Sequence, residues 1–271
     1  MKAQEIRSRL MEGIPITNFK LVDKIIELIT KFLKANNFDE KLFFKMMQNT
    51  KFSIIDFRVF DDTKGLAFSA GKTISFNSSI CQFDEKGNFK GVNSEHIELL
   101  SHIIFHEMFH RISSFRDDIG EVNAKDTALS EGFTDFFAEM LSGNNGPNRS
   151  KTYQFSKDVC NMFYVILGTD KALDDYINNL MKYPNLQELF AQYGLDFKQF
   201  VILFDRALNM RYRKENIDEI IALENEILIT LRDSLFIPFM NNHPEMEEVI
   251  KNKFNSLFKE RKLIINDEKT I

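Results

Sequence analysis

His106-Glu107-Met108-Phe109-His110 puts two imidazoles and a carboxylate within five residues. On an α-helix four residues advance about 6 Å and turn about 400°, so His106 and His110 face the same way, one turn apart. Imidazoles in that relation can grip one zinc ion at about 2.0–2.1 Å. Glu107, next to the first histidine, is placed to act as general base on a water held by the ion rather than as a ligand. A chain with this histidine content acquires such a pattern by accident about once in a hundred, so its setting matters. Here Ile97, Leu99, Leu100, Ile103, Ile104, Phe105, Met108, Phe109 and Ile112 make the helix apolar nearly all round, which predicts burial. Buried imidazoles and a buried carboxylate need partners, and a metal ion supplies them.

A catalytic zinc site usually takes three protein ligands and keeps one position open. The next helix-forming stretch runs from Ala128, with Asp126 or Thr127 as cap, to a stop at Gly143. Leu129, Phe133, Phe136, Phe137, Met140 and Leu141 form its apolar face, and Glu131 and Asp135 lie one turn apart on the other side. Two readings are open for these carboxylates. They form a solvated polar face, or Glu131 completes the zinc site and Asp135 accepts the outward ring N–H of a ligand histidine, which orients the ring and raises its basicity.

The HExxH segment, followed at a distance by a glutamate with an aspartate four residues later, resembles the gluzincin clan of zinc metallopeptidases, the thermolysin-like zincins. Ser130-Glu131-Gly132-Phe133-Thr134-Asp135 is similar to the Asn-Glu-Gly-x-x-Glu/Asp segment of that clan, with Ser130 in place of the usual Asn. The match covers roughly residues 94–142. It implies one Zn2+ held by His106, His110 and Glu131, Glu107 as general base and Asp135 behind a ligand histidine. It also implies a tyrosine or histidine beyond the third ligand to steady the oxyanion. Tyr153 is the candidate, with Tyr164 second and better suited to core packing. The Gly-x-Met-Glu-Asn exopeptidase signature of related aminopeptidases is absent, which favours an endopeptidase. The expected substrate is a peptide or protein. The competing reading is a catalytically inactive, metal-stabilised zincin-like binding or effector module, and a third is a helical scaffold with fortuitous histidine spacing. His102, two turns before His110, is too far along the axis to share the ion, and His96 and His243 receive no role.

The elements that must hold this centre are those of an α+β protein: a zincin-like lobe with a small β-sheet and the HExxH helix, then a mostly helical C-terminal lobe. Residues 1–16 read as a loose leader and residues 17–36 as an amphipathic helix capped by Thr17 or Asn18, with a shorter helix near 40–48. Residues 52–60 read as a strand ending in an Asp61–Gly65 turn, and 66–69 with 73–77 as a hairpin. A free strand edge within 65–77 is a candidate for pairing with a bound peptide. Residues 82–91 read as a polar loop, with Asn93 or Ser94 capping the central helix. The Gly143–Pro147 cluster divides residues 1–143 from 144–271, which together are expected to make one compact catalytic unit. Beyond it every segment reads as helix, punctuated at Gly168, Pro184, Gly194 and Pro238, with a polar tail from about residue 266.

With 271 residues, 44% of them apolar and 28 of them Phe, the chain can bury a large core. A net charge of −5 with scattered Lys and Arg argues against a nucleic-acid partner. Cys81 and Cys160 make no framework and are expected as buried thiols. The charged start and the lack of a long apolar run predict neither a cleaved signal peptide nor membrane insertion, and hence a cytoplasmic protein or one secreted without a cleaved signal. Nothing in the sequence sets the oligomeric state.

Overall fold

The computed structural model describes residues 13–16, 19–38, 40–48, 50–56, 67–70, 73–116, 120–121, 127–143, 151–179, 182–261, 263 and 265. The expected caps Thr17, Asn18 and Asp126, the 57–60 strand end, the 61–65 turn, the 144–147 cluster and the tail from 266 lie outside them. The architecture is α+β, as expected: a small early sheet, the histidine-bearing helix, then helices. Two compact units are distinguished, residues Met1–Asn123 with Phe137–Arg149, and residues Ala124–Phe136 with Ser150–Ile271.

In the first unit, β1 (Ile14–Pro15), β2 (Lys51–Ile55), β3 (Ala67–Ala70) and β4 (Thr73–Asn77) form one sheet in the order β1-β2-β4-β3. β2 and β4 are parallel, with Lys51 opposite Thr73 and Ile55 opposite Asn77. β3 pairs antiparallel with β4 as the expected hairpin, and stands at the sheet edge. Ile54, Ile74 and Phe76 are buried, the mark of strands covered by other elements. Two helices belong to the same unit: α1 (Lys20–Ala35), which buries Val22, Ile25, Ile29 and Leu33 at helical spacing, and α2 (Glu40–Gln48). Both pack on α3 (Ile97–Ser114), which also lies against β3.

Two expectations are corrected here. Ile14 and Pro15 are not part of a loose leader, because they pair with Ser53 and Ile54 of β2. Residues 82–91 are not a plain loop. β5 (Cys81–Phe83) and β6 (Phe89–Val92) form a hairpin around a turn in which the Asp84 carboxylate accepts from the backbone N–H groups of Lys86 and Asn88 at 2.9 and 2.8 Å. Strands this short show too little alternation to be read from residue types alone. A further two-residue pair, β7 (Phe115–Arg116) and β8 (Gly120–Glu121), follows α3.

The second unit is built almost wholly of helices, with phenylalanine rings meeting between them. Helix α4 (Ala128–Ser142) runs from it into the first unit. α5 (Lys151–Leu173) carries Phe163, whose ring meets Phe190 of α6 (Pro184–Gln192) and Phe200 of α7 (Phe197–Tyr212), edge on, at 5.9 and 5.7 Å. Gly168, at φ +75°, breaks α5 where the sequence placed a break. α8 (Ile217–Leu231) runs through a wide π-type turn at Arg232–Phe236 into α9 (Ile237–Asn242). Pro238 therefore does not stop the helix as expected. Its missing N–H and its clash with the carbonyl four residues back, at Ser234, fall on the widened turn. α10 (Glu247–Leu257) buries Ile250 and Phe254.

Two carboxylates described in this unit, Asp175 and Glu224, are 0% exposed. Glu224 of α8 accepts both prongs of the Arg211 guanidinium and a further bond from Arg261 at 2.5 Å. Arg261 also lies over the Phe155 ring, 5.1 Å from its centre. Two guanidiniums around one carboxylate compensate a charge that would otherwise be costly to bury. Among the described residues no helix is long and apolar enough to cross a membrane.

Candidate metal centre

Helix α3 is buried over most of its middle turns, with Leu100, Ile104, Phe105, Met108 and Phe109 at most 1% exposed and Ile103, Glu107 and His110 half-buried along one side. Its entry is a single 3-10 turn, Ser94–His96. Asn93 stands at the cap position but makes no side-chain cap bond there; its Oδ1 accepts from Gln82 Nε2 at 3.1 Å instead. Phe109 stacks on Phe137 at 5.6 Å and meets Phe32 of α1 edge on at 6.4 Å, which fixes the rotation of the helix about its axis. That rotation turns His106 and His110 the same way. Their ring centres are 4.7 Å apart and their Nε2 atoms 3.0 Å apart.

Helix α4 supplies the third side chain. Its start is tightly made: the Thr127 hydroxyl accepts from Ser130 N–H at 3.1 Å, and the Asp205 carboxylate accepts from Ala128 N–H at 2.7 Å. Gly143, at φ +64°, ends it as expected, its N–H reaching Glu139 O at 3.1 Å. The carboxylates are not on a solvated face: every residue from Ala128 to Ala138 is buried, Glu131 at 3% exposure and Asp135 at 7%. One ligating atom each from His106, His110 and Glu131 fall within 4.8 Å of one another.

This donor set fits zinc. Four donors at about 2.0–2.1 Å in a tetrahedron lie about 3.3 Å apart, which the imidazole pair already approaches. Two imidazoles facing one another and a carboxylate that is all but buried call for a cation, and two nitrogens with one carboxylate oxygen are a donor set zinc accepts. Glu107 follows His106 on α3 and is half-buried, so its carboxylate is not sealed into the core. Arg111, after His110, is buried, and burial holds its guanidinium below the ordinary value.

The other candidates make contacts of their own. Tyr153, in the first turn of α5, accepts a hydrogen bond from the Tyr212 hydroxyl at 2.5 Å, ring edge to ring face. Tyr164, half-buried, packs against Phe136 at 4.8 Å and shares a hydrogen bond with Thr169. His102 is buried on α3, His96 sits 3.3 Å from Glu95, and His243 stacks on Phe239. Both cysteines are free thiols; Cys160 is buried and Cys81 half-buried, and burial pushes the Cys81 thiol up to about 12.

Two residues that support α4 are not evident from the sequence. A Cβ on Gly132 would lie 2.6 Å from Ser156 O and 2.6 Å from Cys160 Sγ, so α4 and α5 touch backbone to backbone at that point. Glycine in the middle of a helix costs about 1 kcal/mol against alanine, and that penalty was the one available hint of a close approach. Asp205 lies 77 residues from the N–H it caps, a separation that leaves no local signal. The Ser130 hydroxyl, where the resembled segment has Asn, is buried with no hydrogen-bond partner among the described residues. The chain as a whole matches no known family model, no characterised protein and no solved structure, so the zincin-like character of this centre rests on its own residues.

Proposed function

We propose that the protein is a zinc-dependent endopeptidase of the gluzincin type. One observation carries the reading: His106, His110 and Glu131 gather their ligating atoms within 4.8 Å, with Glu107 between the two histidines on the same helix. Zinc held there would make a water acidic enough to attack at neutral pH and would polarise the peptide carbonyl. Glu107, a half-buried carboxylate on the same helix as the two histidines, would serve as the general base that accepts a proton from the attacking water and passes it to the leaving amine. Asp135, buried one turn beyond Glu131, orients a ligand imidazole through its outward N–H. Tyr153 steadies the oxyanion once its phenol exchanges the Tyr212 hydroxyl for substrate. The edge strand β3, which lies against α3, offers main-chain groups with which an extended peptide pairs.

The test is metal analysis of untagged protein together with digestion of a proteome-derived peptide pool. Wild type should hold one zinc and cleave; chelation should stop cleavage and added zinc restore it. Glu107→Gln should keep the zinc and lose turnover by about 10²–10⁴-fold. Zinc without cleavage in wild type would make the centre structural, and full activity in Glu107→Gln would remove the general base.

A further inference from the structure

Glu131 can serve as a ligand only if α4 presents it at one height and one rotation. A slip of one residue turns a helical side chain by about 100° and moves it about 1.5 Å along the axis. Working sites hold their groups to about 0.5 Å. The first turn of α4 is fixed at three points, all in the second unit. Asp205 of α7 holds Ala128 N–H at 2.7 Å, three residues before Glu131. The Cys160 thiol donates to Leu129 O at 3.7 Å. Gly132, the residue after Glu131, lies flush on the Ser156 carbonyl of α5.

Only the first of these is a polar bond from a charged side chain to a helix-end N–H. Asp205 stands on α7 between the fully buried Phe204 and Ala207 neighbours, so its backbone is rigid. We propose that Asp205 is a positioning residue for the metal centre: its carboxylate sets the N-terminus of α4 and thereby the placement of the Glu131 carboxylate. This rests on the reading of His106, His110 and Glu131 as ligands. Asp205 touches neither metal nor substrate.

The experiment uses the full chain, stripped with chelator and reloaded with cobalt or zinc. Affinity is measured by competition with a chromophoric chelator, coordination by the cobalt d–d absorption, and folding by thermal melting. Asp205→Ala should bind zinc about tenfold more weakly, at the lower end of what residues behind a metal site cost, and should change the cobalt spectrum. Asp205→Asn keeps an acceptor for Ala128 N–H and should return both affinity and spectrum to wild type. If Asp205→Ala does not fold, Asp205→Ser, too short to span the contact, takes its place with the same expectation. A lower melting temperature with unchanged affinity and spectrum would show a purely structural cap and overturn the proposal. Equal losses in Asp205→Asn and Asp205→Ala would overturn it as well. Failure of wild type to take up one equivalent of either metal would instead remove the metal centre itself, so the two readings fail by different measurements.

Discussion

Helices α3 and α4 both carry candidate ligands and both are buried, yet they are held in opposite ways. α3 is held by bulk: Phe105, Met108 and Phe109 are buried, Phe109 packs against Phe32 and Phe137, and the N-terminus of the helix receives no side-chain bond from Asn93. The first turns of α4 are held by the lack of bulk, since Gly132 admits the backbone of α5, and by side-chain bonds from Thr127 and Asp205 to its first N–H groups. A site needs both modes for different reasons. Two ligands on one helix are already spaced by the helix itself, so only its rotation must be fixed. A single ligand on another helix has no such partner, so its height and rotation must be fixed by neighbours.

The contrast has consequences of opposite sign. α3 should be damaged by removing atoms. Phe109→Ala should cost about 3–5 kcal/mol of stability by urea unfolding of the metal-free protein, the range for truncating a buried phenylalanine. A loss well under 1 kcal/mol would mean that bulk is not what holds α3. α4 should be damaged by adding atoms. Gly132→Ala should cost about 1–3 kcal/mol through overpacking against Ser156 and Cys160. Helix propensity alone predicts the reverse, a gain of about 1 kcal/mol, so the sign of the measured change decides whether the close approach matters.

The smallest effect concerns pH. Burial raises the Asp205 carboxyl above its ordinary 3.8, while the Ala128 N–H pulls it the other way. A raised carboxyl binds its proton more tightly in the folded state than in the unfolded one. Its contribution to stability is therefore complete below pH 3.8 and fades as pH rises through the raised value. Asp205→Asn has nothing to titrate there. In metal-free protein its stability relative to wild type should thus improve as pH rises from below 3.8 toward neutrality. A flat difference would mean that the cap carries no burial penalty.

How much of this was legible beforehand follows from the range of the interactions. The HExxH helix and the Glu131 helix were readable because their signals are local: apolar periodicity, a threonine cap, a glycine stop. The β3–β4 hairpin and the helical character of the C-terminal segments were readable for the same reason. The burial of Glu131 and Asp135 was left open, because the same residues at the same spacing suit a wet helix face equally well. The β5–β6 hairpin was missed because its strands are shorter than the pattern needed to detect them. The Asp205 cap and the Glu224 cluster join residues with no sequence relation, so only the fold brings them together.

Arg261 gives the second unit an order of completion during synthesis. Glu224, Arg211 and Phe155 leave the ribosome well before the arginine that both binds the buried acid and covers the ring. Until that arginine is free, a carboxylate destined for the interior has one guanidinium where the finished unit has two, and the nascent core keeps an aqueous route to it. The stretch carrying Glu131 belongs to this late-closing unit, while the paired histidines belong to the other, translated mostly earlier.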